Sequence, residues 1–120
     1  MKLSLLHATW GRQELCLKVK ERWINLAVKP NEIEHIFAVD ANDPDSMEAV
    51  KDTCHIVVAE PKGCFRAYNQ AFAASSGDVI VPIEDDLFPQ YGWDENIRYA
   101  MESCWDKPAV LAVGAGEDYL

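Results

Sequence analysis

The chain has 120 residues, 49% of them hydrophobic and 26% charged, which suits one small globular domain with a single core and excludes a disordered chain. Twenty acidic residues against eleven basic ones give a net charge of -9. That balance argues against a nucleic-acid backbone or an anionic membrane as partner, because both select a positive surface.

Leu3 to Ala8 is a short apolar run that stops at Thr9-Trp10-Gly11-Arg12 and predicts a buried strand followed by a turn. From Gln13 to Val28 the period changes to that of a helix, with Leu15, Val19, Trp23, Leu26 and Ala27 on one face. Pro30 and Asn31 interrupt it. Ile36 to Val39 predicts a second strand ending at Asp40, then a loop in which Ser46 is the expected cap of a short helix through Val50. Ile56 to Val58 is the third strand. Residues 64–74 follow as a helix, with Phe65, Tyr68, Ala71 and Phe72 expected to meet the sheet. Val79 to Ile83 is the fourth strand, Asp94 to Trp105 a further helix, and Val110 to Val113 a fifth strand. Strands alternate with helices and are continuously apolar. The expectation is an α/β fold, a predominantly parallel sheet with helices on both faces, forming a single domain over 1–120.

Several chain-wide features narrow the reading further. No run approaches the roughly 20 apolar residues that cross a bilayer, and Met1–Ala8 is too short for a signal peptide, so cytoplasmic residence is the default expectation. Cys16, Cys54, Cys64 and Cys104 lack the paired spacing of a structural zinc site, and Cys16 and Cys104 read as buried thiols. His7 reads as a satisfied imidazole within the first strand, and His35 and His55 have no partner pattern. Neither a GxGxxG after the first strand nor a GxxxxGK[ST] occurs anywhere.

Glu84-Asp85-Asp86 is the most informative element. Three adjacent carboxylates at the end of a buried strand repel one another, and a divalent cation relieves that cost. Strand carboxyl ends are also where open α/β sheets hold ligands. Three loops are expected to converge there: Thr9 to Arg12, Asp40 to Ser46, and Glu84 to Tyr91. Arg12 is a candidate for a phosphate and Asp40 for a base or ribose. Arg66 and Asn69, three apart on one helix, are candidates to reach the same site, and the helix start near Gly63 favours an anion.

Leu5 through Arg12, Phe37 to Asp40, Gly63 to Ala71, and Gly77 through Asp86 with Pro89 and Gly92-Trp93-Asp94 together resemble the nucleotide-sugar-binding, Rossmann-like amino-terminal half of a GT-A glycosyltransferase of the family 2 type. The resemblance implies that Thr9 and Arg12 line a nucleotide pocket, that Asp40 meets the base, and that the helix carrying Arg66 and Asn69 faces the diphosphate and sugar. It equates Glu84-Asp85-Asp86 with the family's D-x-D element. Asp86 would contact Mn²⁺ or Mg²⁺, with Glu84 as the longer-armed second ligand. Asp85 is counted with the nucleotide-sugar contacts but, in the variable middle position, is expected to point toward solvent or a neighbouring loop. The implied donor is a nucleotide-diphosphate sugar, above all a uridine-diphosphate sugar. The implied acceptor is a glycan or other hydroxyl, reached with inversion at the anomeric carbon.

Glu117-Asp118 has the letters of the family's catalytic-base motif but falls early for it. The chain reads as a truncated half of a larger domain, which leaves open whether it transfers sugar. A receiver-like Mg²⁺-binding signalling domain is disfavoured because Ala8-Thr9-Trp10 stands where an acidic pair is needed. A non-catalytic α/β interaction module is the remaining alternative.

Overall fold

The computed structural model describes residues 1–61 and 63–103. The expected fifth strand, Cys104 and Trp105 of the last helix, and Glu117-Asp118 lie outside the described residues. Within them the chain order is β1 (Leu3–Thr9), α1 (Cys16–Asn25), a 3-10 turn (Pro30–Glu32), β2 (Ile33–Asp40), α2 (Pro44–Val50), β3 (His55–Val58), α3 (Cys64–Ala74), β4 (Val79–Ile83) and α4 (Trp93–Glu102). The four strands form one sheet in the order β3-β2-β1-β4, and every pairing is parallel. Thr9 lies opposite Val39, His7 opposite Ile83 and Asp40 opposite Val58, so the strands finish along a common edge.

Because side chains alternate along a strand, the sheet has two distinct faces. Leu3 and Leu5 of β1 join Val79 and Ile83 of β4 against Val19, Trp23 and Trp93 of α1 and α4. Further along that face, Phe37 and Val39 pack with Cys16 of α1 and Val50 of α2. Leu6, Ile36, Ala38 and Val58 turn the other way and meet Ala67 and Ala71 of α3. Helices therefore cover both faces, as the alternation predicts. Each fully buried leucine or phenylalanine contributes about 1.5–3 kcal/mol, so β1, buried on both sides, is the fold's principal anchor.

Two expectations are corrected here. Phe65 and Phe72 are 82% and 58% exposed, while Tyr68 packs against the sheet cluster and the small residues Ala71, as expected, and Ala67 face the sheet. Their size lets α3 approach β1 and β2 closely. The cap of α2 is Asp43, not Ser46: its carboxylate accepts from the Ser46 amide and hydroxyl, and Pro44 occupies the first turn, where a missing N–H costs nothing. On the far side, buried Asp94 accepts from the Val28 and Lys29 amides at 2.8 and 2.9 Å and from Arg98 Nη1 at 2.6 Å. Burial alone would raise the Asp94 carboxyl, but these donors hold it below the usual range. They fix α4 against the segment after α1.

Candidate functional site

The turns after β1, β2 and β4 meet at the carboxyl edge of the sheet around a cleft of about 440 Å³. Thr9, Trp10 and Arg12 line it from the first turn, Asp40 from the second, and Glu84, Asp85 and Asp86 from the third. The start of α3 closes the remaining side with Gly63, Cys64, Ala67 and Tyr68. Its size is that of an ordinary small-molecule site.

Gly11 makes the first turn possible. Its φ of 65° lies in the left-handed region that side chains disfavour, and its amide donates to Asp43 Oδ2 at 2.8 Å. The first and second turns are thereby tied together. Burial would raise Asp43, yet the hydrogen bonds from Ser46 and Gly11 keep it below the ordinary carboxylate value. Asp40 is half-buried and shifts the other way, raised by burial and then by the charge of Asp43. Arg12 stays exposed, while its carbonyl accepts the amides of Leu15 and of Cys16, the first residue of α1.

The acidic turn is held from three sides. Tyr68 Oη donates to the carbonyl of Ile83 at 2.8 Å, and Trp23 Nε1 donates to that of Leu87 at 3.0 Å. Burial, then the charges of Glu84, Cys64, Asp85 and Asp86, push the Tyr68 phenol upward, so it stays a donor. The third tether decides between solvent and a neighbouring loop, the two directions the sequence left open for Asp85. Asp85 does not face solvent: it is 4% exposed, and both its oxygens are engaged inside the fold. Oδ1 lies 2.6 Å from His7 Nε2, and Oδ2 accepts from Thr9 Oγ1 at 2.7 Å. His7 Nδ1 is in turn 2.9 Å from His35 Nε2. Glu84 and Asp86, on either side of Asp85, are exposed.

Thr9, Arg12, Asp40, Glu84, Asp85 and Asp86 are thus brought together, as the three-loop expectation requires. Arg66 and Asn69 are not brought to the cleft wall. Arg66 Nη1 donates to the Glu60 carbonyl at 2.9 Å and sits 3.6 Å from that residue's carboxylate, and Asn69 is exposed. The helical phase that turns Ala67 inward places Cys64 and Tyr68, not Arg66 and Asn69, on the cleft side. Sequence reasoning missed the His7–His35 link. The available signal was two histidines of like parity on two apolar parallel strands.

Among the described residues no group of three or more His, Cys, Asp or Glu is gathered in a way that could hold a metal ion by itself. No described helix is long and apolar enough to cross a membrane.

A parallel α/β sheet with helices on both faces and an acidic cleft at its carboxyl edge defines a Rossmann-like domain of the GT-A kind. The family model for glycosyl transferase family 2 matches residues 13–114, and the chain belongs to that family. Comparison with curated proteins and with solved structures found no match.

Proposed function

We propose that this family 2 domain binds a nucleotide-diphosphate sugar, with uridine diphosphate as the nucleotide, and presents the sugar to a hydroxyl acceptor. The observation that carries the reading is the convergence of Arg12, Asp40, Glu84 and Asp86 on one cleft at the ends of three parallel strands. Thr9, Arg12 and Asp40 form the nucleotide side, where Asp40 can accept a base or ribose proton. The uridine preference rests on family membership.

A diphosphate placed among Asp40, Glu84 and Asp86 needs positive compensation. Arg12 supplies one charge. The start of α3 supplies another contribution: it carries no side-chain cap and no acidic residue in its first turn, and Gly63 and Cys64 line the cleft. The donor set fits a divalent ion shared with the substrate. Mg²⁺ and its relatives take one or two carboxylates and complete their shell with phosphate oxygens and water, which does not call for a cluster of three protein ligands. Asp86 and Glu84 are the exposed hard-oxygen donors, whereas both oxygens of Asp85 are committed elsewhere. A bound Mn²⁺ or Mg²⁺ would supply charge against that developing on the departing nucleoside diphosphate. Arg66 and Asn69, away from the cleft wall, take no part in this reading.

Calorimetry with a nucleotide panel, with and without Mn²⁺, tests the assignment. Uridine diphosphate should bind selectively and only with the metal. Equal binding of all nucleotides, or none at millimolar concentration with Mn²⁺, would refute it.

A further inference from the structure

We propose that His7, braced by His35, is a positioning residue for the donor cleft: from inside the sheet it fixes Asp85, and through Asp85 the two exposed carboxylates on either side. This rests on the reading that Glu84 and Asp86 serve the donor. His7 is 0% exposed in the central strand, where a polar ring loses its hydration, and an apolar side chain of similar size would avoid that loss. Both of its nitrogens are nevertheless engaged, one of them by a residue of the cleft wall.

The hydrogen-bond pattern has a direction. The Asp85 carboxylate only accepts, so His7 Nε2 carries the proton. In a neutral ring Nδ1 must then accept, which makes His35 Nε2 the donor to it. The remaining nitrogen, His35 Nδ1, is left bare, in agreement with its being buried without a hydrogen-bond partner. Burial lowers His35 to about 2, which keeps this ring neutral. Phe37 holds both rings in place, with centroids 4.6 Å from His7 and 4.4 Å from His35.

The far end of the chain of bonds is just as constrained. His7 takes one oxygen of Asp85 and Thr9 the other, so the carboxylate cannot rotate. The Leu87 amide closes the turn on the Glu84 carbonyl at 3.2 Å. Fixing the middle residue of this turn fixes the backbone from which Glu84 and Asp86 project. Outer residues that orient a ligand set in this way influence affinity without touching the ligand.

The test compares His7→Phe with His7→Gln. Phenylalanine fills the space but donates nothing to Asp85, whereas the glutamine amide can replace the Nε2–H donor. His7→Phe should speed hydrogen exchange of the Leu87 amide in the ligand-free protein and weaken Mn²⁺-dependent uridine diphosphate binding about tenfold, with His7→Gln rescuing both. Identical behaviour of the two variants, or an unchanged Leu87 amide in His7→Phe, would overturn the proposal. If the unmutated chain binds no nucleotide, the donor reading fails, and the exchange measurement still decides whether His7 holds the turn. Imidazole ¹⁵N shifts of the unmutated protein serve if a variant does not fold. They should show His7 as the Nε2–H tautomer, and the Nδ1–H tautomer would refute the assignment.

Discussion

Replacing Asp85 with alanine should destabilise the fold far more than the same change at Asp86, although the two are neighbours in a run of three acids. Asp85 is 4% exposed and accepts two hydrogen bonds at 2.6 and 2.7 Å, from His7 and Thr9. A bond to a charged group is worth about 1.5–3 kcal/mol, so the gross loss is roughly 3–6 kcal/mol. Relief of the buried carboxylate's own desolvation offsets part of this, while the His7 N–H and Thr9 hydroxyl are left unpaired. A net cost of about 3 kcal/mol follows. Asp86 is exposed, and its replacement should stay within about 0.5 kcal/mol. Urea unfolding of the variants, compared at constant m-value, measures the difference. Asp85→Asn is the internal control: its amide can still accept from His7 and donate to Thr9, so it should lose only about 1 kcal/mol. An Asp85→Ala loss no larger than that of Asp86→Ala would refute the buried arrangement of the turn.

Asp86→Asn should instead weaken Mn²⁺-coupled uridine diphosphate binding by about tenfold or more with little change in stability, measured by titrating metal and nucleotide together. Unchanged coupling would remove Asp86 from the metal role. His35 gives a pH signature: its folded value near 2 lies below an unfolded one of about 6.5, so between these the unfolded chain takes up a proton the folded chain refuses. Stability should therefore fall as pH drops below about 6.5, and His35→Phe should flatten the slope by up to about 1.4 kcal/mol per pH unit between pH 6 and 4.5. Gly77→Ala should cost about 2–4 kcal/mol in urea unfolding, since an added Cβ would lie 2.8 Å from the Ser4 amide nitrogen and 3.1 Å from the Leu3 carbonyl carbon, backbone atoms of the central strand that cannot rotate away.

The sequence made β4 legible to the residue, because its apolar run lies between a glycine-containing turn and three acids. β2 was read short at its start. It begins at Ile33, and Glu34 and His35 broke the apolar signal. Each has a partner distant in sequence: Ser4 and Ser76 donate to Glu34, and His7 meets His35. The face of α3 was read in part, for a different reason: Tyr68 and Ala71 meet the sheet as expected, and Phe65 and Phe72 do not. Weighting residues by hydrophobic size selects Phe65 and Phe72, whereas the closeness of helix and sheet selects alanines. Arg66 and Asn69 are not among the residues that line the cleft. The α2 cap was displaced because Asp43 has two tasks, ending one turn and holding Gly11 of another, and only the second reveals its importance.

The acidic triplet shows what the sequence could and could not say about this turn. Three adjacent carboxylates look interchangeable as letters, and mutual repulsion makes a shared cation the natural remedy. The fold relieves part of that repulsion by a second route: it withdraws the middle carboxylate into the protein and supplies it with fixed donors. Those donors come from positions 7 and 9, almost eighty residues earlier, through the parallel pairing of β1 and β4 that sets His7 opposite Ile83. Glu84 and Asp86 then remain as a separated pair at the cleft instead of a crowded trio. For the proposed donor role that is enough, since a cation shared with a diphosphate takes one or two carboxylates and completes its shell with phosphate oxygens and water. Burial of Asp85 is thus the feature of the turn that leaves two exposed carboxylates at the cleft. The residues that create it lie in the core.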